Sequence, residues 1–250
     1  MTNEFQEKKL SRRSVTTIAA ALILAVGMGY GLSLVGTGLS SKSGNSITVT
    51  GSAKTSAVAD NAVWTLNVSE MSQQVSVAVK KIGTSVDALS KYLIAGGLSS
   101  DAIEVGGVTT YANNEYVNGN PTGRVISYQG SRTLTVRSAD VELVKKLSDG
   151  IGSLLQTGVN VSNYGPNYYV SNLAELRPDL LAQAMKDAKL RAEAIMAATG
   201  GKVGSVISVK SGPTQVTSPD STDTAAGGYY DTSTIEKTIS ITVTVAFKTK

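Results

Sequence analysis

Chemistry in this chain has to be done without imidazole or thiol, because neither histidine nor cysteine occurs among its 250 residues. The commonest general base and transition-metal ligand is thereby missing, together with any disulfide, thiolate nucleophile or sulfur ligand. A serine nucleophile would need a lysine or a carboxylate as its base. Neither a Ser-x-x-Lys nor a Gly-x-Ser-x-Gly motif is present. Two acidic pairs, Asp101 with Glu104 and Asp140 with Glu142, have the residue types of a paired-carboxylate site. Both stand where helix caps and strand starts ordinarily place acids. Asp220, Asp223 and Asp231 offer oxygens to a hard cation, but their spacing matches no calcium loop. No catalytic residue, cofactor-binding residue, cofactor or metal ligand is therefore expected, and the chain reads as a non-enzyme. Tyr229 and Tyr230, with Tyr168, Tyr169 and Tyr164, are the candidates for partner contact, since tyrosine supplies large area with a polar tip at little entropic cost. The competing reading is that they are solvent-exposed loop side chains.

Net charge raises the question of nucleic acid, at +4 with a pI near 9.1. Five of the 23 basic residues (Lys8, Lys9, Arg12, Arg13, Lys42) and two of the 19 acidic ones (Glu4, Glu7) precede residue 43, leaving 18 against 17 in the remainder. That remainder is close to neutral. Its longest basic runs are the pairs Lys80-Lys81 and Lys145-Lys146, which read as solvated helix faces. Without a basic stripe and interleaved aromatics, nucleic acid is not an expected partner.

The basic residues gathered at the start have another meaning. Residues 15–39 hold no charge and 15–35 are mostly apolar. About 20 such residues, at ~1.5 Å each, cross a hydrocarbon core of ~30 Å. Lys8, Lys9, Arg12 and Arg13 precede the stretch and Lys42 follows it, so the positive-inside bias sets the N-terminus in the cytoplasm and the rest outside. Its length, and the weak small-residue sites after it, favour an uncleaved signal anchor over a cleaved signal peptide. The expected organisation is a cytoplasmic basic N-terminus at 1–14, a transmembrane signal anchor (or signal peptide) at 15–36, a linker at 37–46 and a folded domain at 47–250. The protein is then single-pass in the cell membrane with its domain extracytoplasmic, or secreted if the leader is cut.

The folded part alternates strand and helix signals. A short strand is expected at 47–50, ended by Gly51, then one in which Ala62, Trp64, Leu66 and Val68 share a face. Val75, Val79, Ile82, Val86, Leu89 and Leu93 step along one side of a helix that Gly96-Gly97 stops. Strands follow at 103–111 and 125–137, with a reverse turn at Asn118-Gly119. Asp140 is placed to cap a helix burying Val144, Leu147, Ile151 and Leu154. After a strand-like stretch at 159–170, a third helix is expected from Pro178, lined by Leu181, Ala184 or Met185, Ala188, Ala192 and Ile195 and closed by Gly200-Gly201. Strands at 203–210 and 235–247 flank a long polar loop at 211–234. The mixed order predicts an α+β fold, a mixed or antiparallel sheet with about three packed helices.

Four segments carry a resemblance: Ile47-Thr-Val-Thr-Gly-Ser-Ala53, Asp60-Asn-Ala-Val-Trp-Thr-Leu66, Tyr128-Gln-Gly-Ser-Arg-Thr-Leu-Thr-Val136, and the run from Ala184 through Gly200-Gly201 to Val209. In this order and spacing the chain resembles the SIMPL-domain family of bacterial envelope proteins, over about residues 46–248. One departure is Ala59, where the family commonly has proline, which implies a looser turn. The resemblance implies an exported or membrane-anchored protein, often oligomeric, linked to stress tolerance and envelope integrity, with no catalytic set to carry over. The expected function is a non-enzymatic, membrane-anchored envelope protein that self-associates as a homo-oligomer, through edge strands at 47–50 or 235–247, and presents its domain for protein or envelope contacts. The alternative is an extracytoplasmic ligand-binding module linked to stress defence.

Overall fold

The computed structural model describes residues 45–250. The expected basic segment and anchor, with most of the linker, fall on residues 1–44 and lie outside the described residues. Among the described residues no helix is long and apolar enough to cross a membrane. The elements are β1 (Ser46–Val58), β2 (Asn61–Ser72), α1 (Val75–Ala95), a 3-10 turn (Ser100–Ala102), β3 (Ile103–Val117), β4 (Asn120–Ser138), α2 (Val141–Gly150), α3 (Gly152–Leu155), β5 (Val161–Tyr169), α4 (Leu173–Ala198), β6 (Val203–Ser211), β7 (Gln215–Thr217) and β8 (Glu236–Thr249). This is the expected α+β class. One sheet has the order β3-β4-β2-β5 and is antiparallel throughout. A second has the order β1-β8-β6, with β7 antiparallel to β8.

Two compact units divide the chain. The described part of the smaller comprises residues 45–50, Ala188–Lys210 and Thr244–Lys250, and the larger comprises Gly51–Asp187 with Ser211–Val243. In the smaller unit, Lys202 and Lys250 exchange both backbone hydrogen bonds at 2.9 Å, the signature of an antiparallel pair. The amide of Thr249 donates to the carbonyl of Asn45 at 3.0 Å. Helix α4 ends there as expected: the amides of Gly200 and Gly201 donate to the carbonyls of Ala197 and Met196, which closes a Schellman motif.

The core of the larger unit lies on one face of the β3-β4-β2-β5 sheet. Trp64, Leu66 and Val68 of β2 stand beside Leu134 and Val136 of β4, in the register Trp64 to Val136 and Leu66 to Leu134. Helices α1 and α2 cover them with Ile82, Val86, Leu89 and Leu93, and with Val141, Val144 and Leu147. Asp140 caps α2 by accepting the Leu143 amide at 2.9 Å, as its position predicts. Helix α1 ends with Gly97 at φ +114, its amide on Ile94 and that of Leu98 on Leu93, and both leucines are buried. The opposite sheet face carries Thr65, Asn67 and Thr133, none of them buried, with Asn67 donating to the Thr133 hydroxyl at 3.3 Å.

Several expectations need correction. β1 does not end at Gly51 but runs to Val58, because pairing in a sheet outweighs the local cost of a glycine. Val75 and Val79 are exposed, and the buried face of α1 starts at Ala78. Helix α4 begins at Leu173, with Pro178 inside it. The apolar line continues upstream as Leu173, Leu176 and Leu180, and the Asn172 carbonyl accepts the amides of Glu175 and Leu176. Leu180 replaces Leu181 on its buried line, while Ile195 is exposed. β8 is an inner strand between β1 and β6, so 235–247 offers no free edge. The amide of Ala59 donates to the Ile235 carbonyl at 2.8 Å, a bond that proline could not make, so the departure tightens this corner.

The 211–234 segment is tied down rather than loose. β7 lies within it, Tyr168 donates its amide to Thr232 and Asp231 to Val216, both at 2.8 Å. Lys237 closes the arrangement. It is 1% exposed and is the one charged side chain buried among the described residues. Its ammonium donates to the Asp231 carbonyl at 2.6 Å and the Thr234 hydroxyl at 3.2 Å, with the Asp231 carboxylate at 3.6 Å. Burial pushes the Lys237 ammonium below its usual 10.5, against the opposing pull of Asp231. Burial alone would raise Asp231, yet hydrogen bonds from the amide and hydroxyl of Ser233, and the charge of Lys237, bring it net below 3.8.

Two substitutions test this account by chemical denaturation. Gly130 of β4 sits under Ile82, and an added Cβ would collide with its Cδ1. Gly130→Val is therefore expected to cost about 2 kcal/mol through overpacking. Asp231→Ala should cost about 3 kcal/mol, because it strips Lys237 of its counter-charge inside the protein. Lys237→Met removes the buried charge itself and should cost less. Because the folded state releases the Lys237 proton at a lower pH than the unfolded chain, wild-type stability should rise, relative to Lys237→Met, as pH climbs from the depressed value towards 10.5. A flat difference between the two proteins across that range would show that Lys237 carries no burial penalty.

Candidate functional site

The bend in β5 decides where the tyrosines point. β5 is an edge strand, so it tolerates Pro166, and its register against β2 shifts between Trp64, opposite Pro166, and Leu66, opposite Asn163. Tyr164 and Gly165 stand opposite the single Thr65, and this one extra residue makes a bulge, with Gly165 at φ +83. Asn163 braces it, accepting the Trp64 indole N–H at 2.8 Å and the Gly165 amide at 2.9 Å through Oδ1. Tyr164 is consequently thrown outward and is 91% exposed.

The four tyrosines singled out for partner contact do not share one environment. Tyr169 and Tyr230 meet ring to ring, with centroids 5.9 Å apart and planes tilted by 39°. The Tyr230 hydroxyl accepts the Val170 amide at 2.8 Å. Tyr229 stands beside it, and both keep more than a third of their surface open. Tyr168 is different: it is 4% exposed and belongs to the core, so its ring is not presented to a macromolecular partner.

A cavity of about 590 Å³ opens beside Tyr229 and Tyr230. Leu173, Leu181, Val216 and Ile241 give it apolar walls, Gly227 and Gly228 a backbone wall, and Arg177 a positive charge. A second cavity, of about 740 Å³, includes Glu142, Lys145 and Tyr168, together with Asp220 and Glu236. Both have the size of small-molecule sites.

Two of the four acids considered for catalysis are engaged elsewhere. Asp140 is committed to the α2 cap, and Glu104 pairs with Arg137 at 2.6 Å. Asp220, Asp223 and Asp231 do not form a cation site: among the described residues no group of three acids could hold a metal ion. Lys8, Lys9, Arg12 and Arg13, singled out for topology, lie outside the described residues.

Lys237, Asp149 and Glu236 were not singled out in the sequence, and Glu142 and Asp220 were considered there only for other sites, a carboxylate pair and a cation loop. A signal for Lys237 was present, since it stands two residues before Ile239, in phase with Ile241 and Val243 on the inward face of β8. Nothing in the sequence grouped Glu142 with Asp220 and Glu236, because they come together only in the fold.

Comparison with known proteins adds the following. No curated protein matches the chain. Among solved structures, a de novo designed protein, Foldit4, aligns at 12% identity over 44% of this chain and 98% of its own, with a TM-score of 0.22. An amidase of the hydantoinase/carbamoylase family from Burkholderia vietnamiensis aligns at 14% identity over 51% of this chain, with a TM-score of 0.23. The alignment covers 32% of that amidase. Neither likeness carries an argument about fold or activity. The family model described as SIMPL, protein of unknown function (DUF541), matches residues 47–247, most of the chain and nearly all of the described fold. With β2, the four helices and all but the last two residues of β8 inside that span, the chain belongs to the SIMPL family.

Proposed function

We propose that this SIMPL-family chain is a non-enzymatic, single-pass membrane-anchored envelope protein whose extracytoplasmic domain self-associates and presents its loops to protein or envelope partners. The anchor and its orientation rest on the uncharged 15–39 stretch and the basic residues before it. Self-association rests on one observation, the unsupported arm formed by β3 and β4. β2 pairs with β4 only as far as Ser72 opposite Tyr128, so residues 113–127 pair with nothing but each other. Two-stranded ribbons are marginal in water on their own. Yet this one carries Tyr116, Val117, Val125 and Ile126 on its surface, with Tyr116 63% and Ile126 51% exposed. β3 is also an edge strand, leaving one row of its backbone groups free for a like strand. An edge and an apolar arm repeated on every copy suit a second copy of this chain, paired antiparallel in a two-fold contact.

A second reading, an extracytoplasmic ligand-binding module linked to stress defence, is favoured by the two cavities beside the anchored 211–234 segment.

Native mass measurement on the full chain extracted from membranes into mild detergent tests the first reading. A multiple of the chain mass is expected for the wild type. Tyr116→Asp combined with Ile126→Asp should weaken assembly at least about tenfold while leaving the circular dichroism spectrum unchanged. A single-chain mass for the wild type, or undisturbed assembly in the variant, would remove the arm from this role.

A further inference from the structure

The larger cavity has a lopsided lining. It holds Glu142, Asp149, Asp220 and Glu236 against one cation, Lys145. Lys145 is already paired with Asp149, Nζ to Oδ2, at 2.6 Å. The carboxylates of Glu142, Asp220 and Glu236 have no hydrogen bond or ion pair among the described residues. Like charges facing one concavity raise its negative potential, and that potential draws in positive ligands.

An independent observation comes from Tyr168. Its ring is buried, but its hydroxyl has no hydrogen-bond partner among the described residues. Among the described residues no side-chain oxygen or nitrogen sealed from solvent lacks a partner, so this hydroxyl reaches open space, and the cavity that Tyr168 lines supplies it. Burial raises the Tyr168 pKa, and Lys145, Asp149 and Glu142 are the charges that act on it, which sets the hydroxyl among the acidic lining. A neutral phenol there has lone pairs free to accept from an ammonium.

The distribution of charge selects the ligand. No three of these acids converge tightly enough to grip a metal ion. They instead line a space of about 740 Å³ to which Pro166, Pro219 and Ile235 add apolar wall. Separated anions along a partly apolar cavity match separated ammonium groups on an aliphatic chain. We propose that this cavity binds a small linear polyamine, its ammonium groups held by Glu142, Asp220 and Glu236 and by the Tyr168 hydroxyl. This gives chemical content to the ligand-binding reading and does not depend on self-association.

Calorimetric titration of the full detergent-solubilised chain with spermidine tests the assignment. Saturable binding of one spermidine per chain is expected, with butylamine, which has a single ammonium, much weaker. Asp220→Asn combined with Glu236→Gln should weaken it about tenfold or more. Tyr168→Phe keeps the ring and every carboxylate, and should also weaken it several-fold, roughly the loss of one hydrogen bond to a charged group. An unchanged affinity in Tyr168→Phe or in the double variant would overturn the proposal, as would displacement of spermidine by an equal charge concentration of magnesium. Absence of saturable binding would do the same. The native mass of the same sample reports separately on assembly.

Discussion

A single ammonium whose only polar neighbours among the described residues are Asp231 and Thr234 organises much of the larger unit. Lys237 starts the inward face of β8, in a position its neighbours two and four residues on fill with isoleucine. Desolvation makes the bare charge expensive there, so the chain that precedes it has to fold back and supply oxygens. Asp231 and Thr234 do so. Once Asp231 is fixed, Tyr230 and Thr232 on either side of it are fixed too, one against Val170 and the other against Tyr168. A segment rich in serine, threonine, aspartate and glycine thereby becomes a wall for two cavities.

The β3-β4-β2-β5 sheet shows a different economy. One face carries the helices and the apolar core, while the other is polar and lightly hydrogen-bonded. Such a sheet needs no second layer to be satisfied over most of its length. The exception is the distal hairpin, which extends past the reach of β2 and keeps apolar side chains with no helix to meet them. The two candidate surfaces are thus of unlike kinds. The arm is apolar and projecting, suited to a protein, whereas the larger cavity is acidic and concave, suited to a small cation.

Reading the sequence worked where the governing physics is local. The glycines that close α1 and α4, the Asp140 cap, the Asn118-Gly119 turn with both residues at positive φ, and the alternation of β2 and β8 are decided within a few residues. It failed where distant segments set the outcome. β1 passes through Gly51 because a neighbouring strand holds it, and Pro178 is absorbed because the leucine stripe begins five residues earlier. The 211–234 segment looked like a loop because its order depends on a lysine outside it. The acidic cavity was illegible for the same reason: its members come from α2, from the bend in β5 and from both ends of that segment.

The bond between the Trp64 indole and Asn163 joins residues 99 apart in the chain. β2 and β5 are therefore made far apart in time as the polypeptide emerges from the ribosome, with α1, the β3-β4 hairpin and α2 synthesised in between. Helix and hairpin contacts close over short loops, but the last strand of the sheet must wait for its own synthesis. Until then the Trp64 strand keeps one naked edge, and the nascent domain is most open to mispairing during that interval.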